Sequence, residues 1–201
     1  MKVEFKNRQL DLARVNVVGV SGSGKSTIAN KLATTLGSPL IEMDRLFWHA
    51  NWVESEIPEF QQKVRSAIHQ SDHWVLDGNY HSKTYEIKWP PATTVIWLDY
   101  SFRRCLRQAT TRAIKRAWTK KELWPNTGNR ESFRKLFGRD SIVLWTITSF
   151  HQLRLRYERC QQDPRWAHLE FVRLKKPSDA IELLNSCRCV GDKTRDGLST
   201  Q

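Results

Sequence analysis

The chain has 201 residues, 39% of them hydrophobic, and 33 Lys and Arg against 21 Asp and Glu give a formal net charge of +12. That length suits one domain with a sizeable core, and no apolar run approaches the roughly 20 residues of a membrane-spanning helix. The N-terminus, Met1 to Arg14, is mixed charged and polar and reads as no secretory signal, while Cys105, Cys160, Cys187 and Cys189 lack zinc-site spacing and read as reduced thiols of a cytoplasmic protein.

In chain order, the first predicted element is a buried strand at Val15-Asn16-Val17-Val18, β-branched and apolar. Residues 19–26 then read Gly-Val-Ser-Gly-Ser-Gly-Lys-Ser, which is G-x-x-x-x-G-K-[ST], the Walker A pattern of nucleoside-triphosphate enzymes. Gly19, Gly22 and Gly24 let the backbone approach a polyphosphate. The N–H groups of residues 22–27, including those of Ser23 and Thr27, are expected to form an anion nest at the start of a helix, next to Ser21. Lys25 would reach the β- and γ-phosphates and the Ser26 hydroxyl would hold Mg²⁺. Ile28, Ala29, Leu32, Ala33 and Leu36 share one face of the following helix, which Gly37 ends.

Pro39 to Asp44 reads as a short strand ending in a carboxylate. Phe60, Val64, Ala67 and Ile68 give a helix over 57–70, with Pro58 tolerated in its first turn. His73 to Asp77 is a second strand ending in an acid, followed by Gly78-Asn79-Tyr80, and Thr93 to Asp99 is a third beyond the Pro90-Pro91 break. Ser101 can cap a helix bearing Phe102, Leu106, Ala109 and Ala113. Residues 118–130 read as a loop, a long helix is expected from about Ser141 to Cys160, and Leu169 to Arg173 is the last strand. A short helix starts at Pro177-Ser178, and the chain turns polar from Cys187. Strands alternating with helices predict an α/β fold with a parallel sheet covered on both faces, and ligands of such sheets bind at the carboxyl ends of strands. The phosphate loop, Asp44, Asp77-Gly78 and Asp99 should therefore meet at one sheet edge.

The charge is uneven. Residues 1–100 carry 11 basic and 11 acidic side chains, residues 101–140 carry 12 against 3, and residues 141–201 carry 10 against 7. The basic central stretch admits a nucleic-acid surface, a membrane-surface helix or a lid that clamps phosphates, and the phosphate loop favours the lid.

Gly19 to Thr27, Asp44-Arg45-Leu46-Phe47-Trp48 with Trp52, Trp74 to Tyr80 and Val95 to Asp99 together resemble the adenylate-kinase-like group of P-loop kinases. Within that group they look most like the bacterial DNA-topology-modulation or adenylate-kinase-related proteins. The match is closest through about residue 100 and looser to about 186. The resemblance implies a three-layer P-loop NTPase fold with a five-stranded parallel sheet in the order 2-3-1-4-5 and a helical arginine-rich lid at about 110–140. It implies one kinase domain over 1–186 with a polar tail at 187–201, and transfer of the γ-phosphate of Mg-ATP to a small-molecule acceptor. The alternative is a nucleic-acid-associated NTP-binding protein affecting DNA topology or expression.

By the same resemblance, Asp77 would hold Mg²⁺ through water opposite Ser26, although Asp99 also has the pattern of such an acid and, failing that, would cap the helix beside Ser101. Asp44 would face the acceptor, either taking a hydroxyl proton or only orienting substrate; the plain alternative is a turn aspartate. Arg45, Trp48, Trp52 and Asn79 would bind the acceptor. The two tryptophans share one face if their segment is helical, and core packing competes with that role. Arg112 and Arg116, four residues apart, are the leading lid arginines, with Arg130, Arg134 and Arg139 as further candidates.

Overall fold

A computed structural model describes residues 1–120, 122–125, 127–131 and 141–196, with side chains as far as Cys189. The chain opens with an antiparallel hairpin, β1 (Lys2–Phe5) and β2 (Arg8–Asp11). Five strands follow: β3 (Arg14–Gly19), β4 (Leu40–Glu42), β5 (Trp74–Asp77), β6 (Thr94–Leu98) and β7 (Glu170–Leu174). They pair in parallel in the order β4-β5-β3-β6-β7. Numbered from β3 in chain order, that is the expected 2-3-1-4-5. Every residue of β5 and β6 is buried, as central strands covered on both faces require.

Seven α-helices are described: α1 (Lys25–Leu36), α2 (Met43–Phe47), α3 (Ile57–His69), α4 (His81–Lys88), α5 (Phe102–Thr119), α6 (Ile142–Gln162) and α7 (Pro177–Asp196). α3 buries Phe60, Val64 and Ile68, one residue per turn, and carries Pro58 in its first turn. α6 starts where Ser141 accepts hydrogen bonds from the amides of Val143 and Leu144. The buried face of α5 is Cys105, Ala109, Ala113 and Ala117; these small side chains let the phosphate loop lie directly on the helix.

Two parts differ from expectation. The polar-looking N-terminus is a hairpin because Val3, Phe5, Leu10 and Leu12 are buried on one side, while Lys6 and Asn7 take positive φ (49° and 61°) in a two-residue turn. Lys6 and Arg8 anchor it through Asp179 (2.8 Å) and Glu170 (2.6 Å). At the other end, the tail expected from residue 187 is helical through Asp196. Cys187 is fully buried and extends the stripe of Ala180, Leu183 and Leu184 by one turn.

Register brings the strand ends together. Val17 lies opposite Asp77, Asp77 opposite Glu42, and Gly19 opposite Leu98. One edge of the sheet therefore carries the phosphate loop, the Asp77 turn, α2 with Asp44, and Asp99.

Candidate active site

The loop leaving β3 has a tight backbone. Ser23 N–H donates to the Val20 carbonyl at 3.1 Å. Gly24, at φ 87°, sits at the N-cap of α1 with no side chain occupying the free amides of the first turn. Those amides and the helix dipole make an anion seat. A Cβ on Gly24 would meet nothing within 4 Å, so the backbone there borders open space. Ser21 and Ser23 are buried, Lys25 is half-buried, and Ser26 and Thr27 are exposed. The Ser23 hydroxyl is buried without a hydrogen-bond partner among the described residues.

Asp77 stands at the end of β5, next to that loop. Burial raises its carboxyl above the ordinary value, the Lys25 ammonium and a hydrogen bond with Ser26 oppose that rise, Asp44 adds to it, and Arg112 opposes it. Five predicted side chains thus share one electrostatic neighbourhood. Asp77 Oδ1 is buried with no hydrogen-bond partner among the described residues.

Among the described lid candidates, Arg112 reaches the loop. Its Nη2 donates to Ser21 Oγ at 2.8 Å. Burial and the adjacent Arg116 lower its pKa, and Glu131, Asp44 and Asp77 pull it upward; a guanidinium keeps its proton regardless. Arg116 instead approaches Glu131 at 3.9 Å. Arg130 is exposed, and Arg134 and Arg139 lie outside the described residues.

Asp44 falls in the first turn of α2, two residues past the end of β4 rather than on the strand. It is exposed and accepts a 2.8 Å hydrogen bond from the Tyr80 hydroxyl. Tyr80 adopts a left-handed backbone (φ 36°), and burial first, then Asp44, pushes its hydroxyl pKa far upward. It therefore acts as a fixed donor. Sequence reasoning quoted Tyr80 in its motif without giving it this role.

Asp99 is drawn away from the loop. Its carboxylate, 3% exposed, pairs with Arg173 at 2.6 Å and Arg154 at 3.0 Å. Two guanidinium partners leave it poorly placed for a metal, and no side-chain cap bond forms at the start of α5, where Ser101 is the N-cap.

Asn79 does not present its amide to an acceptor. Nδ2 donates to the Gly19 carbonyl (2.9 Å), and Oδ1 accepts from Gly19 N–H (3.0 Å) and from Tyr157 O–H (3.1 Å). An amide with donor and acceptor both engaged by backbone is structural. The tryptophan pair also differs from the helical expectation. α2 ends at Phe47, Trp48 is extended, and Asn51 and Trp52 have positive φ. The rings still meet edge-on at 5.6 Å, and Trp52 meets Trp124 at 5.9 Å. Arg45 is exposed at the same corner.

Residues 122–125 and 127–131 fold back onto that corner. Asn129 is fully buried; its Nδ2 donates to the His49 carbonyl (2.8 Å) and its Oδ1 accepts from Trp52 N–H (2.7 Å). Asn51 N–H donates to the Thr127 carbonyl at 3.1 Å.

A glycine-rich loop with Lys25 and Ser26, a strand-end acid beside it and a 2-3-1-4-5 sheet occur here together. The chain has an α/β fold with a five-stranded parallel sheet flanked by helices and a glycine-rich loop at its carboxyl edge. Among solved structures it is similar to a gluconokinase from Sinorhizobium meliloti 1021, with TM-score 0.46 and 16% identity over 96% of this chain and 99% of that one. It is also similar to shikimate kinase from Acinetobacter baumannii in complex with shikimate, with TM-score 0.47 and 14% identity over 94% of each chain. No family model and no curated protein matches the chain.

Proposed function

We propose that this P-loop protein is a phosphotransferase that moves the γ-phosphate of Mg-ATP to a small-molecule acceptor. The observation carrying this reading is the convergence of Lys25, Ser26, Asp77, Asp44 and Arg112 at the mouth of one glycine-rich loop. Phosphoryl transfer is mostly positioning and charge stabilisation, and these residues supply both. The amides of residues 22–27 and Lys25 cradle the β- and γ-phosphates. Arg112, already bonded to the loop through Ser21, offers its planar fork to the phosphoryl group in transit.

The residues fit magnesium: Ser26 and Asp77 are hard oxygen donors, and Asp77 keeps one buried oxygen without a partner among the described residues. When bound there, Mg²⁺ would neutralise charge on the β- and γ-phosphate oxygens. Asp44, aimed by Tyr80, takes the proton from an acceptor hydroxyl, or orients an acceptor that is already a phosphate. Arg45, Trp48 and Trp52 line the acceptor side. The finer likeness, to the DNA-topology-modulation proteins, rests on the sequence segments alone.

The test is transfer of labelled γ-phosphate from Mg-ATP to a panel of nucleotides, nucleosides and small alcohols. Transfer to one of them supports the reading, and failure of the protein to bind an ATP analogue with magnesium overturns it. One observation favours a second reading, an NTP-binding protein that sits on nucleic acid. Arg103, Arg104, Arg107 and Lys115 are exposed on α5 together with Trp118, which is 79% exposed. Duplex binding that falls steeply with salt and survives loss of the phosphate loop would be its signature.

The raised Asp77 pKa sets a pH dependence. Magnesium binding needs the carboxylate, so it displaces a proton, and nucleotide affinity in magnesium is expected to fall on acidification. The fall should begin above the usual carboxylate range of about 4. For folding the sign is opposite: the folded state favours the protonated acid, so this contribution to stability is lost as pH rises through the raised pKa. Calorimetric titration of an ATP analogue across pH, with and without magnesium, checks this. Asp77→Asn is expected to remove the magnesium-dependent part at every pH.

A further inference from the structure

Beneath the site lies a charged side chain that no step above uses. Lys88, the last residue of α4, is fully buried. Its Nζ donates to the Gly78 carbonyl at 3.2 Å and to the Asn79 carbonyl, and lies 3.5 Å from Met43 Sδ. Burying an ammonium costs several kcal/mol by order of magnitude unless its partners compensate. Here the partners are two successive carbonyls of the turn that directly follows Asp77. Burial lowers the lysine pKa to about 7, and the charge of Asp77 opposes that drop.

The same turn is held from two other directions. Asn16 Nδ2 donates to the carbonyls of Leu76 (3.1 Å) and Gly78 (3.2 Å), while Asn16 Oδ1 accepts from Trp89 Nε1 at 3.0 Å. Asn79, whose own carbonyl Lys88 holds, grips both backbone polar groups of Gly19, the first residue of the phosphate loop, and takes the Tyr157 hydroxyl of α6. Lys88 thus fastens a turn that has Asp77 on one side and the grip on the loop on the other.

We propose that Lys88 is a positioning residue of the phosphate site: by holding the Gly78 and Asn79 carbonyls it fixes Asp77 opposite Ser26 and sets the Asn79 clamp on Gly19. It is fully buried and touches no substrate, so its action runs through those two residues. The functional arm of this inference rests on the phosphotransferase reading; the structural arm does not.

The experiment compares wild type with Lys88→Met, which keeps bulk and removes the donors, with Lys88→Gln, which keeps two N–H donors, and with Ile87→Ala. Ile87 is a buried neighbour on α4, and its truncation costs core packing alone. Amide hydrogen exchange is first followed in the nucleotide-free protein. Leaving the Asn79 carbonyl without its donor and the Gly78 carbonyl with Asn16 alone is expected to speed exchange at Gly19 and Gly78 by about tenfold or more relative to Ile96 of β6 in Lys88→Met, but not in Ile87→Ala. Calorimetry with a nonhydrolysable ATP analogue is expected to show about a tenfold smaller gain in affinity from magnesium in Lys88→Met, part of it restored in Lys88→Gln.

Exchange at Gly19 and Gly78 that matches Ile87→Ala would overturn the proposal, as would an undiminished magnesium gain. Should Lys88→Met not fold, Lys88→Gln against Ile87→Ala decides by the same two measurements. If wild type binds no nucleotide, the phosphotransferase reading falls, and the exchange arm still decides the role of Lys88.

Discussion

Lys25→Ala is expected to abolish phosphate transfer to any acceptor. The half-buried Lys25 begins α1 at the mouth of the loop, within electrostatic reach of Asp77. In the phosphotransferase proposed above, its charge would offset the phosphate tail in the ground state and more so as charge shifts during transfer. Removing one such fixed donor from an active site typically costs about 10² to 10³ in rate, and loss of a full positive charge belongs at the upper end. Analogue binding should weaken in the same variant while the unfolding midpoint stays close to wild type, since no ion pair or hydrogen bond to another side chain ties Lys25 into the core among the described residues. Calorimetry and a labelled-ATP assay read both effects. Transfer at close to the wild-type rate in Lys25→Ala would show that the glycine-rich loop is not the phosphate seat.

Gly22→Ala is expected to damage fold and site together. At Gly22, φ is 79°, where a Cβ costs about 1–2 kcal/mol in any context. The larger penalty is spatial. The new methyl would stand 2.2 Å from the Cys105 carbonyl oxygen and 2.8 Å from the Ala109 nitrogen, both backbone atoms of α5 that no rotamer change can move. Either the loop lifts or α5 shifts, and α5 carries Arg112. A stability loss on the order of 4 kcal/mol is expected from strain and overpacking combined, read by denaturant unfolding, with analogue binding lost. Gly24→Ala supplies the comparison. It shares the positive φ but meets nothing within 4 Å, so its cost should stay near about 1–2 kcal/mol. Equal destabilisation by the two substitutions would mean that the loop does not rest on α5 as described.

Local signals carried the sheet and the loop. β3, β5 and β6 are short apolar runs that end at a glycine, at an acid or just before one, and their helices announce themselves by spacing, as Phe60, Val64 and Ile68 do. What sequence could not rank was set by distant partners. Asp77 and Asp99 end similar strands; Arg154 and Arg173, far along the chain, occupy Asp99 and leave Asp77 beside Lys25 and Ser26. Arg112 and Arg116 are equivalent by spacing, and only the packing of α5 on Gly22 turns the first to Ser21 and the second to Glu131. Asn79 looked available because its partner, the backbone of Gly19, has no sequence signature. Trp48 and Trp52 meet through a turn rather than along a helix, because positive φ at Asn51 and Trp52 ends the periodicity. Lys88 gave no signal at all: a lone lysine before Trp89 reads as surface charge, and only topology buries it.

The joint made by Asn129 couples two segments that are far apart in the sequence. It ties the stretch after α5 to the backbone at His49 and Trp52 with both ends of one buried amide. Parting that joint would strand polar groups at about 1–3 kcal/mol each, so the two segments travel as one piece. Any movement of the backbone at Trp52 would then carry residues 127–129 with it, so the tryptophan corner and the stretch after α5 keep one fixed spacing.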